Sequence, residues 1–96
     1  MKIDFLKNNG ELTVALDGRL DTTTSPSFES FLAENYGGVT SLTVDCEKLV
    51  YISSAGLRVL LSTHKKMMGA FTLTHVDELV MEVFEITGFV DILTIK

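Results

Sequence analysis

The chain has 96 residues, 46% of them hydrophobic and 22% charged, with a formal net charge of −5 and one cysteine. Length and composition describe one folded domain and exclude a disordered segment. The acidic balance argues against nucleic acid and anionic membrane surfaces as partners. No run of 18 apolar residues offers a membrane span, and a lone Cys46 forms no internal disulfide. The start, Met1-Lys2-Ile3-Asp4-Phe5, lacks the apolar stretch of a signal peptide, so the expected location is cytoplasmic.

In chain order, residues 2–6 and 11–16 each alternate polar and apolar, and Asn8-Asn9-Gly10 between them is a hairpin turn. Asp17-Gly18-Arg19-Leu20-Asp21 then leaves the second strand, with a bulge or bend at Gly18. Ser25 reads as the N-cap of a helix over residues 26–36, with Pro26 in its first position. Phe28, Phe31, Leu32 and Tyr36 share one face of it, and Gly37-Gly38 ends it.

Residues 40–45 read as a central strand with Asp45 at its carboxyl end. Glu47-Lys48 is then a polar break, and Leu49, Val50 and Ile52 return the chain to the core. From Gly56 the periodicity is helical, with Leu57, Leu60, Leu61, His64 and Met68 on one face. Lys65 and Lys66 suit the negative end of that helix, and Gly69 stops it. Residues 71–75 alternate as a strand, Asp77 caps a third helix to about Thr87, and Gly88 ends it. Residues 91–95 offer a short last strand. This order predicts an α/β fold: a mixed sheet of four to five strands, with parallel members and helices packed against it.

Chemistry concentrates in Ser53-Ser54, just before the second helix. A serine hydrolase could draw on Ser54, on His64 or His75, and on Asp45. The nucleophile elbow, however, wants glycine two before and two after the serine; Gly56 is present but Ile52 fills the other place. No phosphate-binding loop, no dinucleotide fingerprint and no Cys/His metal spacing occurs, so the sequence asks for no cofactor and no metal. A serine at a helix start is a cap worth roughly 1 kcal/mol. One serine fills that role, and two leave one to explain. The other reading is reversible phosphorylation, which adds about −1.5 to −2 charges where free backbone N–H groups can receive them. Residue chemistry leaves cap and switch both open.

The stretch Asp45-x-x-x-Leu49-Val50-Tyr51-Ile52-Ser53-Ser54-Ala55-Gly56-Leu57-Arg58-Val59-Leu60-Leu61 resembles the signature of STAS domains. The likeness is greatest to the free-standing bacterial anti-sigma factor antagonists. Gly18-Arg19-Leu20-Asp21 and Thr87-Gly88-Phe89 add to it, so residues 1–96 are expected to form a single STAS domain. The family's segment reads Asp-Ser-[Ser/Thr]-Gly, with the serine as phosphate acceptor. Aligned on Gly56, the resemblance places Ser54 at the acceptor, Ser53 at the aspartate and Ala55 at the second hydroxyl; Ser53 is the alternative acceptor.

The resemblance implies a protein-binding regulator that is not an enzyme. The unphosphorylated antagonist binds an anti-sigma factor that is also its serine kinase. Phosphorylation breaks the pair, and a PP2C-type serine phosphatase restores it. Asp21, Thr22, Ser53, Gly56 and Arg58 are the expected partner-binding residues, on a monomer or weak dimer. A terminal helix found in some relatives is expected to be short or missing. Because Ser53 replaces an acidic neighbour, the alternative is a STAS protein-interaction scaffold subunit, never phosphorylated, in a signalling or lipid-transport complex.

Overall fold

All of residues 1–96 are described in the computed structural model. The strands are β1 (Lys2–Asn8), β2 (Glu11–Leu20), β3 (Ser41–Ile52), β4 (Phe71–Thr74) and β5 (Thr94–Ile95). The helices are α1 (Ser25–Asn35), α2 (Ser54–Lys66) and α3 (Glu78–Thr87), followed by a single 3₁₀ turn at Phe89–Asp91. The strands form one sheet in the order β1-β2-β3-β4-β5. Only the hairpin β1–β2 is antiparallel; the other neighbours are parallel, as strands joined through helices must be. Asn9 and Gly10 turn the hairpin with φ of 48° and 86°, the left-handed pair that a two-residue turn requires.

Period-two alternation decides which face is covered. Leu12, Val14 and Leu16 of β2 stand beside Leu42, Val44 and Cys46 of β3 and Phe71 and Leu73 of β4, all buried. Phe28 and Leu32 of α1, Leu57 and Leu60 of α2, and Val80 and Phe84 of α3 close over them. Each such side chain contributes about 1.5–3 kcal/mol by leaving water. The opposite face is polar: Thr13, Thr43, Thr72 and Thr94 align in register across four strands, exposed or half-buried. A mixed sheet with an antiparallel member tolerates such a wet face. Burial pushes the Cys46 thiol up to about 12, with Asp45 and Asp77 adding to the rise, so it is a core side chain and not a nucleophile.

Two strands run further than the sequence predicts. Asp17 to Leu20 stay in β2, and Glu47-Lys48 does not interrupt β3. The reason is a pair of one-residue register shifts: Ala15 faces Asp45, Asp17 faces Lys48, and Arg19 faces Tyr51. The bulges absorb extra residues on the β3 side and leave the chain paired. Asp45 Oδ1 accepts the Glu47 N–H at 3.0 Å at the first, and Gly18 takes φ +116° at the second. Asp45 therefore lies mid-strand rather than at a carboxyl end.

Ser25 is not a cap. It is the first residue of α1, buried, with its hydroxyl unpaired. Asp21 does the capping, one turn earlier: its Oδ1 accepts the N–H groups of Thr23 and Thr24 at 3.0 and 3.1 Å, and its carbonyl accepts the Ser25 N–H at 2.9 Å. α2 starts at Ser54, two residues ahead of Gly56. The 3₁₀ turn takes the front of the expected last strand, which leaves β5 two residues long.

Candidate functional site

The site forms where β2 and β3 end side by side and the chain turns into α2. Leu20 and Ile52 pair in register, and the Ser53 N–H donates to the Leu20 carbonyl at 2.9 Å. That bond fastens the start of α2 to the strand that leads into Asp21. Close approach is possible because residue 56 is glycine. A Cβ there would lie 2.8 Å from the Leu20 carbonyl oxygen and from Ile52 Cγ1. Gly56, one of the expected partner-binding residues, is buried, and its lack of a side chain serves this close approach.

The two serines divide the work. Ser53 has the extended backbone of an N-cap (φ −101°, ψ 176°), and its Oγ accepts the Gly56 N–H at 3.4 Å, a long bond. Ser54 is the first helical residue, exposed, and its hydroxyl makes no hydrogen bond within the protein. Neither its N–H nor that of Ala55 has an acceptor, as expected of a first turn. Arg58 lies one turn further along α2 and is exposed.

The β2 side of the site is held by Asp21. The Thr24 N–H bond holds its carboxyl below the usual value of 3.8; the Thr23 N–H and the Thr24 hydroxyl add to this, as does the Arg19 charge, while partial desolvation opposes them. Arg19 Nε stands 3.6 Å from Asp21 Oδ2, and its guanidinium lies 4.0 Å from the Tyr51 ring centre. Thr24 Oγ1 donates to the Arg19 carbonyl at 2.7 Å and accepts the Asp21 N–H at 2.9 Å. Thr22 is exposed at the tip of this turn. A carboxyl with a lowered folded pKa stabilises fully above its unfolded value, and that stability goes as pH falls through the folded value. Asp21→Asn keeps the acceptor oxygen and removes the charge. Wild type should therefore exceed the variant in urea midpoint at neutral pH, and the gap should close as pH drops below 3.8.

An apolar groove of about 270 Å³ lies between the last residues of β3 and α3, lined by Val50, Tyr51, Ile52, Leu79, Val80 and Val83. The sequence sends Val50 to the core, yet Val50 is 56% exposed and Leu79 66%. The bulges break the alternation: the buried positions of β3 run 42, 44, 46 and then 49 and 52, which turns Val50 and Tyr51 outward, where strict alternation would have buried residue 50.

The hydrolase residues do not assemble. His75 Nδ1 lies 3.0 Å from Asp45 Oδ1 on the polar side of the sheet. Asp45 and Ile52 are seven strand residues apart, so the pair is about 20 Å from Ser54. His64 is half-buried on α2, its Nδ1 out of water and without a partner. No three His, Cys, Asp or Glu side chains gather as a metal site, and no helix is long and apolar enough to cross a membrane.

The STAS domain pattern matches residues 2–96. The chain belongs to the STAS family. BtrV of Bordetella bronchiseptica, named as a candidate anti-sigma factor antagonist, is 36% identical over 96 residues, covering 96% of this chain and 83% of the relative. The anti-sigma-B factor antagonist of Bacillus subtilis is 26% identical over 99 residues, covering 100% of this chain and 91% of its own. Among solved structures, an anti-sigma factor antagonist from Mycobacterium paratuberculosis superposes with a TM-score of 0.85 at 20% identity, covering 98% of this STAS domain and 83% of that chain. Unphosphorylated SpoIIAA gives 0.75 at 15% identity, covering 99% and 87%. At such identities the superpositions show the fold: a mixed five-stranded sheet with three helices.

Proposed function

We propose that this STAS domain is an anti-sigma factor antagonist that acts in the cytoplasm and is switched at Ser54. One observation carries the reading. Ser53 alone performs the capping, so the fold leaves the exposed, unbonded hydroxyl of Ser54 without a structural task. The antagonist names of its relatives support the class of partner, an anti-sigma factor; that this partner is also the serine kinase is part of the proposal.

The chain itself needs no catalytic group. The kinase brings ATP, metal and base; Ser54 Oγ attacks the γ-phosphorus, its bond to the β,γ-bridging oxygen breaks, ADP leaves, and the hydroxyl proton passes to the base. A PP2C-type phosphatase reverses the change by hydrolysis. The free N–H groups of Ser54 and Ala55 and the positive end of α2 favour the added charge, so the fold survives modification. The Arg19–Tyr51 stack lies one residue pair back along β2 and β3 from the strand ends that lead into Ser54, and Tyr51 also lines the apolar groove; a kinase that docks on Ser54 would extend onto both. The aromatic-and-arginine composition of that surface suits an interface centre.

Incubation with magnesium, ATP and each serine kinase of this type from the same genome should yield one phosphate on Ser54 by mass spectrometry. Absence of phosphate on both Ser53 and Ser54 with every such kinase overturns the switch. A phosphate on Ser53 instead moves the acceptor by one residue.

A further inference from the structure

Arg58 stands apart among the cations near the serines. Arg19 is occupied by Asp21 and Tyr51. No carboxylate lies within 4 Å of Arg58, it makes no hydrogen bond, and α2 has no acidic residue in its first turn. Its position relative to Ser54 is i+4, so the two side chains are neighbours on one helix face, with Cβ atoms roughly 5–6 Å apart. Both are exposed, so neither is fixed by packing. Helical side chains lean toward the N-terminus, which carries a long arginine back over the turn that holds Ser54. An anion preceding a cation by four residues is also the favourable order for such a pair.

We propose that Arg58 is an intramolecular receptor for the phosphoryl group on Ser54, a regulatory pairing that rests on the reading of Ser54 as the acceptor. The planar guanidinium meets two phosphate oxygens at once, in a geometry that a lysine cannot reproduce. Modification then changes the face twice over. It adds negative charge, and it withdraws Arg58, the unpaired cation on that face, from anything a partner could offer it. It also links residues 54 and 58 across the first turns of α2, so the modified helix is stiffer than the unmodified one.

The test uses full-length protein with phosphoserine installed at position 54 during translation, so that no kinase is needed. Failure of kinases to modify Ser54 bears on the switch; the outcome below bears only on Arg58. Phosphoserine should raise the melting temperature by about 3 °C over the unmodified protein when Arg58 is present, and by about 1–2 °C less in Arg58→Gln, where only the helix-end contribution remains. The second ionisation of the phosphate, followed by ³¹P NMR, should lie about half a pH unit lower in wild type than in Arg58→Gln, from an ordinary value of about 6. Arg58→Lys should recover part of both effects. Equal melting shifts and equal phosphate titrations in wild type and Arg58→Gln overturn the proposal.

Discussion

Gly56→Ala should lower the melting temperature by about 10 °C. Two effects compete at this position, and their sizes decide the sign. Gly56 lies in the first turn of α2 with an ordinary helical φ, so propensity alone favours alanine by roughly 1 kcal/mol. The contacts oppose it. A Cβ would come within 2.8 Å of the Leu20 carbonyl oxygen and of Ile52 Cγ1, and within 2.9 Å of Leu20 Cγ. The first of these is backbone, and it already accepts the Ser53 N–H. It cannot withdraw without loosening the bond that sets the start of α2 on β2. Overpacking of this kind costs about 3 kcal/mol, which leaves a net loss of about 2 kcal/mol. In a domain of this size each 1 kcal/mol moves the midpoint by roughly 4–8 °C. Gly37→Ala is the control: nothing lies within 4 Å of its Cβ position and its φ is not left-handed, so its melting point should hold or rise slightly. A Gly56→Ala protein that melts at or above wild type would show that α2 can move off Leu20 at no cost.

That contact also explains what could and could not be read from the chain alone. The hairpin was legible because Asn8-Asn9-Gly10 sits between two alternating runs, and α3 because Asp77 and Gly88 bracket a helical stripe; Asp77 Oδ1 accepts the Val80 N–H at 2.9 Å and Gly88 takes φ 81°. The parallel order followed from strands separated by helices. The ends of β2 and β3 were not legible, because bulges are a property of two strands together. Glu47-Lys48 looks like a break in one strand and becomes a bulge only when Asp17 pairs with Lys48. Capping failed at Ser25 for a similar reason: Asp21 starts the turn four residues earlier, and local preference for serine carries no trace of that competition. At the site, the serines were found, but their separate tasks depend on one backbone angle, the extended ψ of Ser53, that residue types do not encode. For Gly56, residue type carries no sign of the close contact with Leu20 and Ile52 that excludes a Cβ.

Substitutions at the two serines should separate into two kinds of effect. Ser54→Asp should weaken binding to the anti-sigma kinase by about 100-fold, or roughly 2.7 kcal/mol, while Ser54→Ala binds within a few-fold of wild type. A kinase close enough to phosphorylate Ser54 excludes water from it, and desolvating a carboxylate there, together with the Arg58 charge it would engage, costs more than their contact returns. The same aspartate is welcome in the free protein, because a negative side chain in the first turn of α2 meets free N–H groups and the positive helix end. The melting temperature of Ser54→Asp should therefore equal or exceed that of wild type, so weak binding cannot be blamed on unfolding. Ser53→Ala should do the reverse. It removes the cap that accepts the Gly56 N–H and costs about 0.5–1 kcal/mol, toward the small end because that bond is long at 3.4 Å. Its affinity should stay within a few-fold of wild type. Thermal melts and isothermal titration on the three variants read both effects. Equal affinity of wild type and Ser54→Asp would remove charge at residue 54 as the switch. A large affinity loss in Ser53→Ala, with Ser54→Asp unaffected, would transfer the acceptor role to the residue that also holds the helix start, and modification would then have to break the cap in order to act.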